Sequence, residues 1–365
     1  MSRKVYVHIG APKTGTTYLQ DRLALNAKSL GEHGVHVPTG MPVHSPGMFQ
    51  FRVALDLLGQ DWGGEPGHAA GTWDSFVRRT KRRSGSVILS HELLAPAGAA
   101  SVKRLKHDLR GSEIHVVYSA RDLGRQIPAA WQETVKQGKG WGYRRFLDKL
   151  TNDRIWFYQA FDLPAVLSTW SAGLPPEQVH VVTVPHHEVI AERPDTLWLR
   201  FCDAFGIDPA WAPADSWSVN PSMGMAETAL VRKLNRRVKR TARRLGGADE
   251  LVHRLLAERQ LASRPSQPVR LAPRMHPWAL EQAERWIEWV EESGVHVVGD
   301  LDELRPRPVP EKEWADPDRV SPREQLEAAL DALSAMTDEA ARRSDPDQQL
   351  VRRVKSQVRR MRQQQ

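Results

Sequence analysis

Val5-Tyr6-Val7-His8-Ile9-Gly10-Ala11-Pro12-Lys13-Thr14-Gly15-Thr16-Thr17-Tyr18-Leu19-Gln20 changes character twice along its length. It opens as an apolar run, passes through a glycine-bounded loop with one lysine, and continues in a helical pattern. A strand, a tight loop and a helix in that order put free backbone N–H groups at the helix start, where the helix dipole also favours negative charge. Gly15 allows the turn around an anion. Thr16 and Thr17 add hydroxyl donors, and Lys13 adds a positive charge inside the loop. The loop is not the nucleoside triphosphate motif G-x-x-x-x-G-K-[ST], because Thr16 stands where that motif has lysine and Lys13 comes three residues earlier. The rearrangement suits a donor with a single 5'-phosphate that carries a transferable group. The plainer alternative is an ordinary strand-to-helix turn with a threonine cap.

Outward from this loop, apolar runs at Val5–Ile9, Ser86–Ser90, Glu113–Ala120, Val179–Val184 and Val295–Val298 read as strands buried on both faces. Helical patterns over about 16–31, 98–109, 122–137, 154–171 and 193–206 separate them. Alternation of this kind predicts a three-layer α/β fold, a mainly parallel sheet with helices on both faces, like that of the P-loop NTPases, with helical C-terminal additions. The expected organisation is a core over 1–220 with a loop-and-helix insertion at about 40–75, a basic helical subdomain and return to the core over 221–300, and a linker with a polar helical tail over 301–365. In the linker, Arg305-Pro306-Arg307-Pro308-Val309-Pro310 favours extended chain. Residues 276–293 form an amphipathic helix, and 322–342 and 346–362 read as a solvated helix pair.

The single cysteine, Cys202, excludes an internal disulfide and fits a reducing compartment. It sits in a helical run and reads as a small buried apolar residue. No apolar leader or membrane span is visible, so the expected location is the cytoplasm, with membrane-surface contact left open. The net charge of +8 favours anionic partners. Part of the excess crowds 233–244 and 352–362.

The loop resembles the 5'-phosphosulfate loop of sulfotransferases that use 3'-phosphoadenosine 5'-phosphosulfate (PAPS), and the opening through Gln20 looks like their bacterial branch. The resemblance spans about residues 3–225. It implies that Pro12, Lys13, Thr14, Gly15, Thr16 and Thr17 cradle the donor's 5'-phosphosulfate and that Lys13 steadies the leaving group. It further implies that Arg121, where the strand ending at Ala120 meets the next helix, holds the 3'-phosphate through its planar fork of donors. The family serine eight residues later is Ala129 here. Arg125, one turn after Arg121, is the first candidate to compensate, with Gln126 and Gln132 weaker. Part of the segment 232–244 is a candidate substitute for a C-terminal glycine- and lysine-rich loop that is not visible, and Asn220-Pro221-Ser222 looks like a short family element near the nucleotide.

Sulfuryl transfer needs a base for the acceptor proton. Ser86-Val87-Ile88-Leu89-Ser90-His91-Glu92 ends a strand in polar residues, at the sheet edge where ligands bind in open parallel sheets. The bacterial branch carries a glutamate after such a strand, so Glu92 is the first choice and His91 the second. The local alternative is a helix start, with Ser90 as its N-cap and Glu92 in its first turn. His8 alternates with apolar neighbours and reads as a core histidine. His44, Arg52 and His68 fall in the insertion and could touch acceptor. His186-His187-Glu188 lacks a spaced partner for a metal, and no metal is expected. The implied activity is sulfuryl transfer from PAPS, leaving adenosine 3',5'-bisphosphate, to a small-molecule, glycan or lipid acceptor. The alternatives are a P-loop kinase, disfavoured by Thr16 and by the lack of a clear magnesium-binding aspartate, and a non-catalytic anion-binding protein. No zinc-finger or RNA-recognition signature points to a specific nucleic-acid partner.

Overall fold

The computed structural model describes residues 3–39, 46–62, 64–152, 155–216, 222–237, 261–262 and 264–342. Its strands are β1 (Arg3–His8), β2 (Val35–His36), β3 (Ser86–Ser90), β4 (Ser112–Ala120), β5 (Val179–Thr183) and β6 (His296–Val298). The helices, in chain order, are α1 (Thr16–Leu25), α2 (Ala27–Glu32), α3 (Pro46–Leu58), α4 (Thr72–Lys81), α5 (Ala99–Asp108), α6 (Leu123–Lys136), α7 (Tyr143–Thr151), α8 (Trp156–Phe161), α9 (Leu163–Ser171), α10 (His187–Glu192), α11 (Thr196–Phe205), α12 (Met225–Arg237), α13 (His276–Ser293) and α14 (Pro322–Arg342). All strand pairs are parallel, in the order β2-β3-β1-β4-β5-β6. This is the three-layer α/β architecture that the alternation of strand and helix patterns predicts.

The chain forms two compact units. The first comprises Met1–Trp131, Arg144–Val219 and Arg270–Ala315, and contains the whole sheet. One face of the sheet, with Tyr6, Ile88, Val117 and Val182, packs under Leu19 and Leu23 of α1 and Trp198, Phe201 and Phe205 of α11. The other face carries Tyr118, whose hydroxyl donates to the carbonyls of Ala160 and Phe161 at the end of α8. Because β1 lies between β3 and β4 while the chain leaves β1 for the β2–β3 side, the carboxyl ends of β1, β3 and β4 surround the point where strand order reverses. Such crevices are where open α/β sheets bind ligands.

The second unit comprises Gln132–Tyr143, Asn220–Val269 and Asp316–Gln365. In it Arg232 of α12 pairs with Asp318, and the Tyr143 N–H donates to the same carboxylate at 2.9 Å. Glu227, fully buried, lies 3.3 Å from Arg264 Nε and accepts from the Ser266 hydroxyl at 2.6 Å. Helix α14 buries Ala328, Ala332 and Ala335 and leaves Leu326, Leu330 and Leu333 exposed. Among the described residues no helix is long and apolar enough to cross a membrane. His44, the basic residues 239–244, the pair Asn220-Pro221 and the tail beyond 342 lie outside the described residues.

Several boundaries differ from the sequence pattern for local reasons. The helix expected over 16–31 breaks at Asn26, whose side chain donates to the Arg22 and Ala214 carbonyls and accepts from the Ala214 N–H. The helix expected over 154–171 breaks at Asp162, just before Pro164, which cannot continue a helix from its own N–H. β2, only two residues long, has no periodicity to detect. The insertion at 40–75 is more regular than expected, with α3 running for 13 residues.

Three histidines form a chain across β4, β5 and β6, with His180 in register with His296 and His115 two residues before the partner of His180. His115 Nε2 meets Glu113 Oε1 at 2.9 Å, His115 Nδ1 meets His180 Nε2 at 2.9 Å, and His180 Nδ1 meets His296 Nδ1 at 3.0 Å. Tyr6 stacks on His115 with ring centroids 4.7 Å apart. Burial first, then the neighbouring His115, His296 and Lys4, pushes the His180 imidazole down to about 4. An unfolded histidine titrates near 6.5. The folded state therefore prefers neutral His180, and this stabilisation is complete above pH 6.5 and drains away as the pH falls toward 4. Its size is up to about 3 kcal/mol. Denaturant titrations at pH 7.5 and pH 5 are expected to show a marked loss of stability for the native chain and a smaller loss for His180→Leu. Equal losses would show that the ladder does not carry the pH dependence.

Candidate active site

The loop leaves β1 still attached to β4. The Ile9 N–H donates to the Val117 carbonyl at 3.0 Å, the Ser119 N–H to the Gly10 carbonyl at 2.5 Å, and the Ala11 N–H to the Ser119 carbonyl at 2.8 Å. Beyond that point the loop is held by its carbonyls. Ala11 O accepts from the Thr14 hydroxyl at 2.5 Å, Pro12 O from Gln126 Nε2 at 2.8 Å, and Lys13 O from Arg121 Nη1 at 2.9 Å. Lys13 sits at φ +66° and Gly15 at φ +89°, and the chain then enters α1 with no side chain capping its first N–H groups. A peptide unit whose carbonyl is fixed toward the protein turns its N–H the other way. The planes held through the Pro12 and Lys13 carbonyls thus turn the Lys13 and Thr14 N–H groups outward, an arrangement suited to anions.

Underneath, a buried polar chain crosses the sheet. His8 Nδ1 meets the Ser90 hydroxyl at 2.7 Å, His8 Nε2 meets the Ser119 hydroxyl at 3.2 Å, and Ser119 Oγ meets Thr14 Oγ1 at 2.5 Å. The donors can be assigned in sequence. Thr14 spends its proton on Ala11 O, so Ser119 donates to Thr14, His8 Nε2–H donates to Ser119, and Ser90 donates to His8 Nδ1. That polarity requires a neutral imidazole, and burial, opposed by Glu92 and assisted by His91, holds His8 down at about 3. Thr14 is fully buried, so its side chain shapes the loop from below. Thr17 is exposed at the surface, and Lys13 is half-buried.

Glu92 stands directly against the start of the loop. A Cβ added to Gly10, at φ +101°, would lie 3.1 Å from both Cα and Cβ of Glu92. Gln20 of α1 donates to Glu92 Oε2 at 3.3 Å and to the Ser90 carbonyl at 3.1 Å. Gln50 of α3 accepts from the Ser90 N–H at 2.7 Å and secures the end of β3. The Glu92 side chain remains 28% exposed. Burial raises its pKa, but His91, backbone N–H donation, Gln20 and His8 together outweigh that and leave it below the usual carboxylate range. Glu92 is therefore an ionised carboxylate at neutral pH, open to the crevice. His91 differs from it. Its Nδ1 accepts from the Leu93 N–H at 3.2 Å, capping the short turn Glu92–Leu94, its ring contacts Phe51, and burial lowers its pKa. The expected capping role thus falls to His91, while Ser90 remains in β3.

Arg121 reaches the loop from the end of β4. Burial, with Arg125 adding to it and Asp122 opposing, brings its guanidinium down to about 10, so it stays charged. Its Nε is buried without a partner. Arg125 pairs with Asp122 and donates to the carbonyls of Pro185 at 2.9 Å and Val184 at 3.1 Å, tying α6 to the end of β5. Gln132 belongs to the second unit, where it donates to the Met223 carbonyl. Glu188 pairs with Arg307 at the surface. Gln20, Gln50 and Ser119 are site residues that the sequence pattern did not single out as such, and Gln126, a weaker candidate for the 3'-phosphate, instead donates to the Pro12 carbonyl: their work is to hold neighbours that lie far away along the chain. The polar positions Ser90 and Ser119 within buried strands were the visible signal.

No family model matches the chain, and no curated protein does. Among solved structures it is similar to a crystal structure of a sulfotransferase from Alicyclobacillus acidocaldarius, at 16% sequence identity and a TM-score of 0.36, over 60% of this chain and 88% of that one.

The closeness of Gly10 to Glu92 gives a direct test. Gly10→Ala puts a methyl group into backbone contact at a φ that disfavours side chains, and is expected to destabilise the protein by about 1–3 kcal/mol. Thermal unfolding checks it. A melting temperature equal to that of the native chain would mean that Glu92 does not press against the loop.

Proposed function

We propose that the protein transfers a sulfuryl group from PAPS to a hydroxyl or amine of an acceptor molecule. The observation that carries this reading is the juxtaposition of an outward-facing donor loop bearing Lys13 with an ionised, accessible carboxylate, Glu92, packed against the loop's first residue. An anion cradle alone is a binding site. With a base beside it, it can move a group from a bound phosphate ester to a nucleophile that must lose a proton.

In this reading the acceptor oxygen or nitrogen attacks sulfur, the bond from sulfur to the bridging phosphate oxygen breaks, and the acceptor proton passes to the Glu92 carboxylate. The negative charge that grows on the leaving 5'-phosphate is stabilised by Lys13 and by the N–H groups at the start of α1, which are fixed before the reaction and need no reorientation. Thr14, Gly15 and Thr16 supply the loop backbone for those donors. Arg121 serves two ends. It fixes the Lys13 carbonyl, and its unpartnered buried Nε and remaining N–H groups offer a charged fork for the donor's 3'-phosphate. A buried donor without a partner costs about 1–3 kcal/mol, a cost that a bound anion would remove. Arg125, already committed to Asp122, Val184 and Pro185, contributes mainly through the field of its charge. Glu92 is favoured over His91 as the base because its oxygens are accessible, whereas Nδ1 of His91 is engaged in capping.

Two experiments test the reading. Glu92→Gln keeps the shape and the bond from Gln20 but cannot take a proton. With donor saturating and the variant shown to be folded, turnover is expected to fall about 100-fold or more, with donor binding unchanged. Near-normal turnover would remove Glu92 from the base role. Separately, adenosine 3',5'-bisphosphate at 100 times its Kd is expected to stabilise the native chain by about 2.7 kcal/mol, and to do so far less in Lys13→Ala. Stabilisation by magnesium-ATP and not by the bisphosphate would overturn the reading in favour of a kinase.

A further inference from the structure

Along the β2 edge of the sheet the first unit carries a run of cations that make no ion pairs among the described residues. Lys28 lies on α2, Arg78, Arg79 and Lys81 close α4, and Arg82 and Arg83 follow it. All six are exposed, and among the described residues none of them makes a salt bridge. Four of them, Lys28, Arg79, Arg82 and Arg83, line a cleft together with His36 and one acid, Glu32. Arg79 is set in place by its bond to the Thr39 carbonyl at 2.5 Å and by the Phe49 ring 5.3 Å beneath its guanidinium. Arg3 secures the segment that bears the others, donating to the carbonyls of Lys81 at 2.8 Å and Arg83 at 2.9 Å. Like charges gathered in a concavity raise the local potential more than the same charges spread over a convex surface, because the low-dielectric walls focus the field.

The cleft also has a direction. Val37 lines it and at the same time lines a small cavity bounded by Gln20, Gln50 and Ser90, the residues that hold Glu92 and the end of β3. Val37 is thus shared by the cationic cleft and the small cavity beside the end of β3.

We infer that this cleft binds the anionic stretch of an acidic polysaccharide, and as an anion-binding cleft it stands independently of the sulfuryl-transfer reading. A chain enters a concave cleft that a flat membrane surface cannot follow. Apart from His36 the lining has no aromatic ring on which nucleic-acid bases would stack, and stacking platforms are what single-stranded nucleic-acid sites use.

The test uses the full chain with dextran sulfate, neutral dextran of the same length and a single-stranded oligonucleotide, with binding measured at low and moderate salt. Dextran sulfate is expected to bind with strong salt dependence and neutral dextran not to bind. Arg82→Glu/Arg83→Glu is expected to weaken dextran sulfate roughly 10-fold or more, and Arg82→Gln/Arg83→Gln to have an intermediate effect. Arg319→Glu/Arg323→Glu, at two highly exposed positions elsewhere, should leave binding unchanged. Undiminished dextran sulfate binding in the Arg82/Arg83 variants would overturn the inference, as would an equal loss in the Arg319/Arg323 control. Tighter binding of the oligonucleotide, lost in the same variants, would overturn it in favour of nucleic acid. Stabilisation by adenosine 3',5'-bisphosphate should survive the Arg82/Arg83 changes. Its absence from the native chain as well would refute the donor reading and leave the cleft's own result intact.

Discussion

Three consecutive carbonyls of the loop after β1, those of Ala11, Pro12 and Lys13, are each taken by a donor within the protein, and the rest of the site depends on this. A peptide plane cannot turn its carbonyl inward without turning its N–H outward. Gln126 and Arg121, by holding the Pro12 and Lys13 carbonyls, therefore set the direction of the Lys13 and Thr14 N–H groups before any ligand arrives, while the Thr14 hydroxyl fixes the Ala11 carbonyl, whose peptide plane ends in Pro12 and carries no N–H. In water, N–H groups would have to reorient around an incoming anion. Here that reorganisation is already complete, and this is the main source of electrostatic advantage in sites of this kind.

The same constraint accounts for the polar residues that cross the buried sheet. Thr14 can hold Ala11 only if its own hydroxyl oxygen is satisfied, and Ser119, His8 and Ser90 complete the chain in one direction. A charged His8 would present two donors and break that order, so the loss of the His8 proton by burial is part of the support for the loop. The site is thus braced from three elements: β3 through Ser90, β4 through Ser119 and α6 through Gln126.

Glu92 belongs to the same construction. It comes from the turn after β3, and its approach to Gly10 is possible only because that residue has no side chain. Gln20, at the second turn of the helix that the loop opens, then fixes the carboxylate. One helix therefore supplies both the N–H groups at the end of the loop and the side chain that orients the neighbouring carboxylate, so the spacing between those N–H groups and the Glu92 carboxylate is set by helix geometry.

Much of this was legible in the amino-acid sequence. The alternation of buried strands with helices, the loop with Lys13, Gly15, Thr16 and Thr17, and the polar end of β3 at His91 and Glu92 are local patterns, and local patterns reflect the periodicity and turn chemistry that a chain carries with it. The core role of His8 was readable for the same reason. What needed the tertiary structure is what depends on residues distant in the chain. No pattern shows that Gln126 would find Pro12, that Gln20 would hold Glu92, or that Arg125 would be drawn to Val184 and Pro185. The breaks at Asn26 and Asp162 and the two-residue strand β2 likewise follow from tertiary partners or from pairing too short to leave a period. The sequence by itself determined the kind of loop and the kind of sheet. Only folding decided which way the loop's peptide groups face, because that direction is set by side chains arriving from other strands and helices.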